Sequence, residues 1–116
     1  GSTFWNDWAK YPFSSTNWNH RPFATQVWGL AYRSGEAWNE FGWSNAEFDA
    51  LLAEANSIAD ADERRVVAGK IQAIVVEEGV TIQPYWRSLY RSHAPNVVCD
   101  MHIAYHSHVY KWGIKA

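Results

Sequence analysis

The chain has 116 residues, 47% of them hydrophobic, and a formal net charge of -2. That length gives room for one domain with a buried core, and the scattered Lys and Arg argue against a nucleic-acid partner. No apolar run approaches the roughly 20 residues that cross a bilayer, and the single Cys99 excludes an intrachain disulfide.

In chain order, Phe4, Trp5 and Trp8 recur at helical spacing and Pro12 closes a short first helix. The opening GSTFWNDW has neither the basic start nor the apolar stretch of a signal peptide. Ser14 to Arg21 reads as a short strand or extended loop. Pro22 suits a helix start, and Phe23, Val27, Leu30 and Ala31 predict a helical stripe to about Tyr32, broken by Ser34-Gly35.

Ser44 to Ile58 carries the clearest helical signal. Ser44 and Glu47 form a capping-box pattern, and Phe48, Leu51, Leu52, Ala55 and Ile58 make one apolar stripe. Asp60 and Glu63 repeat the capping pattern before Val67, Ile71, Ile74, Val75 and Glu78, and Gly79 is placed to end that helix. The short link predicts an antiparallel pair over about 45–58 and 61–78. Thr81 to Trp86 is β-rich, with Pro84 confining it to an edge or bulge. Leu89 to Ala94 predicts a second strand, and Met101 to Ile114 alternates weakly. The expected fold class is α/β: a small mixed sheet with flanking helices.

Eight Trp are the unusual number. Indoles serve as core filler or as flat walls of a ligand cleft. Trp5, Trp8, Trp18, Trp28 and Trp38 precede the strong helices, among Asn, Ser and Gly, which favours the cleft for some of them. Trp18, Asn19, His20 and Arg21 set an indole, an amide, an imidazole and a guanidinium side by side before a helix start, where Arg21 is suited to a two-pronged grip on a carboxylate or to pairing with a structural acid. Trp38 and Asn39 form a second polar–aromatic pair, with packing beneath the next helix as the alternative for Trp38.

Catalytic signals are weak by comparison. Glu36 and Glu40 flank Trp38-Asn39, but loop carboxylates four apart are a poor basis for the fixed pair a glycosidase needs. No nucleophile elbow or phosphate-cradling Gly loop occurs. His102, His106 and His108 would share one face of a strand. A solvated or interface-facing strand accounts for them better than a metal site does. The expectation is therefore a binding protein with no catalytic residue, no metal and no cofactor.

Tyr32-Arg33-Ser34-Gly35, Trp38-Asn39 and the run from Ser44 to Ala55 (SNAEFDALLAEA) closely resemble the C-terminal part of extracytoplasmic solute-binding proteins of peptide-type ABC transporters, the dipeptide-, oligopeptide- and nickel-binding kind. Asp60 to Arg64 matches that family's D-x-x-x-R, and Ile82-Gln83-Pro84-Tyr85-Trp86 its I-x-P-Y segment. The resemblance implies that residues 1–116 are a C-terminal lobe fragment of a two-lobed fold, with the tail from about 87 returning toward the first lobe. It implies capture of a small solute in the bacterial periplasm and delivery to ABC permease subunits. By the same resemblance, Trp18, Asn19, His20, Arg21, Trp38 and Asn39 would line one wall, with Tyr85 and Trp86 near the hinge. A fragment would bind solute weakly alone, and its uncovered apolar surface would favour self-association. Peptide binders of the family carry an Asp in the Trp-containing segment for the peptide amine. Trp18 to Pro22 has no acid, which argues against solutes with a free N-terminal amine, while Arg21 and His20 suit an anionic or polyhydroxylated one; the solute expected overall is peptide-like, opine-like or another polar or anionic compound. The rival readings are a free-standing aromatic-rich carbohydrate-binding module and a small hydrolase using Glu36 or Glu40.

Overall fold

The computed structural model describes residues 3–99 and 108–115. Its contacts divide the chain into two compact units: residues 1–17 with 23–82, and residues 18–22 with 83–116.

The first unit is helical. Helix α1 (Phe4–Asp7) runs into a 3-10 turn (Trp8–Lys10), as the early aromatic spacing predicts, and α2 (Ala24–Val27) continues as a π-helical turn over Trp28–Tyr32. The signature of that turn is the wide bond from Arg33 N–H to the Trp28 carbonyl, 2.9 Å. Widening a helix rotates its inward face. Ala31 is buried and Trp28 and Tyr32 pack against the core, whereas Phe23 is 54% exposed. The expected stripe through Phe23, Val27 and Leu30 is therefore only partly realised: it assumed an unbroken 3.6-residue period.

Helices α3 (Ala46–Ser57) and α4 (Ala61–Glu77) form the expected antiparallel pair. Their stripes supply the core, Phe48, Leu52 and Ala55 against Val67 and Ile71, all buried. The residue capping α3 is Asn45, not Ser44: its side-chain oxygen accepts the Phe48 amide at 2.9 Å. Asn caps at least as well as Ser, and its other end has a use that Ser lacks, described below. Asp60 caps α4 as the pattern predicts, accepting the Asp62 and Glu63 amides at 2.8 and 2.9 Å. Such caps are worth about 1 kcal/mol each.

Arg64 ties the first turn of α4 to the end of α3. Its guanidinium reaches back from α4 to the Ile58 carbonyl at 3.1 Å, past the end of α3, and lies 5.3 Å from the centre of the Phe23 ring. Gly79 stops α4 with φ +60. Bonds from Gly79 to the Val76 carbonyl and from Val80 to the Val75 carbonyl complete a Schellman ending.

The second unit holds the strands. Val97–Val98 (β1) pairs antiparallel with Gly113–Ile114 (β2), in the register Val97 to Ile114 and Val98 to Gly113, beside a 3-10 turn at Val109–Lys111. The protein is thus a small helix-and-sheet protein. The expected mixed sheet is corrected to this single antiparallel pair among the described residues. Ser14 to Arg21 is irregular, and neither Thr81 to Trp86 nor Leu89 to Ala94 is a strand. High β-propensity does not make a strand without a partner edge, and Pro84 removes one of the donors such an edge needs. Among the described residues, no backbone-to-backbone hydrogen bond involves residues 82–93.

Candidate functional site

The aromatic loop between Arg33 and Asn45 is built inward from its polar side chains. Gly35 and Gly42 take φ +76 and +60, left-handed values that let the chain double back. Asn39 sits inside the loop and aims its amide nitrogen at three carbonyls: Trp43 at 2.7 Å, Arg33 at 3.1 Å and Tyr32 at 3.4 Å. Its Oδ1 is buried and accepts no hydrogen bond from any described residue. The Ser34 amide donates to Asp49 at 3.1 Å, and the Asn45 amide donates to the Ser34 hydroxyl at 3.3 Å, which ties the loop to the first turns of α3.

Glu78 closes the far side. Its carboxylate accepts from the Trp43 indole N–H and, at 2.6 Å, from the Asn45 side-chain amide. One carboxylate at the end of α4 therefore holds the residues that open α3. This is the second use of Asn45. It also explains an acid at the end of an otherwise apolar helical stripe. The sequence places Glu78 on that stripe without a role; Glu78 lies 35 residues from Trp43 and 33 from Asn45, and only helix pairing joins it to them.

These contacts divide the duties of Trp38 and Asn39. Asn39 spends its donors on the backbone and so shapes the loop, while Trp38 is left 50% exposed on its surface. Each of the two loop carboxylates has a partner: Arg33, within the loop, lies 3.6 Å from Glu36, and the hydroxyl of Thr16, 24 residues away, lies 2.6 and 2.7 Å from the two oxygens of Glu40.

Tyr32 lies beneath the loop, its ring 4.7 Å from that of Phe41. Burial, followed by the Glu40 charge, pushes its hydroxyl above the ordinary value of 10.0, against a smaller opposing effect of a hydrogen bond with Thr81. The raised native value means that the unfolded chain loses this proton first. The contribution of Tyr32 is complete below pH 10 and is lost as the pH climbs through its native value. Urea unfolding between pH 8 and 11 should show stability falling above about pH 10, with a shallower fall in Tyr32→Phe. An equal fall in both proteins would contradict this assignment.

The remaining predicted site residues lie in the second unit. Trp18, Asn19, His20 and Arg21 belong there together with Tyr85 and Trp86, although more than 60 residues separate the two groups along the chain. Trp18 and Arg21 are half-buried; Asn19, His20, Tyr85 and Trp86 are exposed. Trp38 and Asn39 belong to the first unit. The residues predicted to form one wall thus fall in two different compact units. His102 and His106 lie outside the described residues, and among those described no group of His, Cys, Asp or Glu is arranged to hold a metal ion. No described helix is long and apolar enough to cross a membrane.

Comparison of the chain with protein-family models, curated proteins and solved structures finds no match.

Proposed function

We propose that this chain is part of a hinged, extracytoplasmic solute-binding protein that captures a small polar or anionic solute and delivers it to an ABC importer. No bond is made or broken; the work is contact and reversible closure. The observation that carries the reading is the loop from Arg33 to Asn45. Asn39 braces it from within, Glu78 anchors its end, and Trp38 stands half exposed on a rigid support, the arrangement that makes an aromatic side chain a useful ligand contact. The loop and the helix pair behind it are also the segments that resemble the binding-protein family.

A second reading has an observation of its own. Trp86 is 85% exposed and Tyr90 90% exposed, and flat faces of this kind suit the sugar contacts of a carbohydrate-binding module.

Calorimetric titration of the whole gene product with dipeptides, opines, acidic peptides and oligosaccharides separates the two. The transport reading expects one-to-one binding of a polar or anionic solute, lost when the 116-residue chain is tested alone. Oligosaccharide binding of equal strength by the 116 residues alone would establish the module instead. Tight binding of an ordinary dipeptide would refute the exclusion of free amines, because Trp18 to Pro22 contains no acid to pair with an ammonium.

A further inference from the structure

Helix α4 is apolar on two faces. One is the core face through Val67 and Ile71. The other looks outward: Val66, Gly69, Ala73 and Val76 recur at spacings of three, four and three, and all four are exposed, the valines at either end by 66% and 71%. At roughly 100° per residue they share the side of the helix opposite the core. Their spacing is that of a two-helix seam. Gly69 stands in mid-helix, where Ala is favoured. Its φ is not positive, and a Cβ there would meet no atom within 4 Å. Nothing among the described residues calls for a Gly at that point. A second helix crossing it would, because bare backbone lets two helix axes approach to about 8 Å.

The charges beside this seam select the second helix and its direction. Lys70 and Glu77 lie along one edge, Arg65 and Gln72 along the other. Lys70 and Glu77 are exposed, and neither side chain has an ion-pair or hydrogen-bond partner among the described residues. Arg65 is bridged to Asp62 at 2.5 Å. A second α4 laid antiparallel sets Val66 beside Val76 of the other copy and Gly69 beside its Ala73. Equivalent edges then face each other. Lys70 of each copy meets Glu77 of the other, about 7 Å apart along the axis and within reach of two long side chains, and Arg65 meets Gln72. A parallel arrangement opposes the Arg65 edge to the Lys70 edge, and it aligns the helix dipoles unfavourably. Eleven carboxylates against five Lys and Arg give residues 1–17 and 23–82 a net charge of -6. A body so acidic tolerates self-contact only where unlike charges are opposed.

We propose that the outer face of α4 docks a second copy of this chain, α4 against α4 in antiparallel orientation, with Lys70 and Glu77 paired across the two-fold axis. The contact goes beyond solute capture and does not depend on it. One helix face buries less than a standard interface, so the dimer is weak and reversible, with a dissociation constant of about 0.1 mM.

Sedimentation equilibrium of the whole gene product from about 10 µM to about 1 mM reads the association. Lys70→Glu should weaken it at least about tenfold, and Lys70→Glu with Glu77→Lys should restore it. Gly69→Ala should raise the unfolding temperature by about 4 °C and still weaken the dimer, a pair of opposite effects that a purely local role does not produce. Direction is read by disulfide trapping in a Cys99→Ser background. Val66→Cys mixed with Val76→Cys should form the mixed disulfide, while neither variant cross-links alone, because the two equivalent positions lie more than about 7 Å apart. A protein that stays monomeric throughout the range overturns the proposal, including the case in which another part of the gene product covers this face. So does a dimer indifferent to Lys70→Glu, or a disulfide formed by Val66→Cys alone, which marks parallel pairing.

Discussion

Phe48→Ala should destabilise the helical unit by about 3–5 kcal/mol, the largest stability loss expected of any single truncation in this chain. Phe48 is fully buried and is one of the two largest completely enclosed side chains. The Trp43 ring meets it edge-on, with centroids 4.9 Å apart, and Tyr32 lies at 6.4 Å. Removing the ring opens a cavity between α3, α4 and the π-helical turn, and these indole and phenol neighbours are too bulky to collapse into it. The core itself is small, so little remains to compensate. A shift in unfolding temperature of roughly 15 °C follows for a unit of this size. Phe48→Leu should lose less than half as much, because most of the volume is kept. Differential scanning calorimetry of the three proteins checks the order. A Phe48→Ala loss below about 1 kcal/mol would mean that the α3–α4 core is not what holds this unit together.

The stripe on which Phe48 sits was legible because periodicity reports burial directly. In each of α3 and α4 the inward positions follow one helical period, and the Asp60 cap of α4 is a local signal with a local cause. The misses arose where a nonlocal choice intervened. The π-helical turn at Trp28–Tyr32 changed the inward face, and no residue type announces that change. At the start of α3, Ser44 and Asn45 are both competent caps. The choice fell to Asn45 because Glu78, 33 residues away, also needed its amide. The residues from Thr81 to Ala94 have the composition of strands, but pairing depends on an edge being present, and composition does not record edges.

The candidate site was legible in the same uneven way. Trp18 to Arg21 stand out by residue type and Tyr85 to Trp86 by the family resemblance, and they belong to one unit. Trp38 and Asn39 were paired by adjacency, and the structure gives them different work: one faces outward and the other holds the backbone.

The second large effect belongs to Asn39, the residue that joins loop shape to candidate function. Asn39→Asp should cost about 2–4 kcal/mol at neutral pH, more than Asn39→Ala. The amide nitrogen lies 2.7 Å from the Trp43 carbonyl and 3.1 Å from the Arg33 carbonyl. An aspartate presents an acceptor to acceptors at those distances, while alanine leaves the carbonyls unmet without adding repulsion. Protonation restores one donor. The carboxyl of the variant should therefore have its native-state pKa raised above the ordinary 3.9 or so. With the native value the higher of the two, the variant recovers stability as pH falls through that value and loses it again as pH rises. Wild type and variant should converge toward pH 4 and separate by pH 7 in urea unfolding. Hydrogen exchange supplies a local readout: the Asn39 and Glu40 amides, bonded to the Glu36 and Trp38 carbonyls at 3.0 Å, should exchange faster in the variant, while amides in the middle of α4 slow or quicken only with global stability. Solute affinity of the whole gene product should fall with the loop, because Trp38 loses its support although its own side chain is untouched. An Asn39→Asp protein within 0.5 kcal/mol of wild type at pH 7 would show that the three carbonyls do not depend on this amide, and the rigid-support argument for Trp38 would go with it.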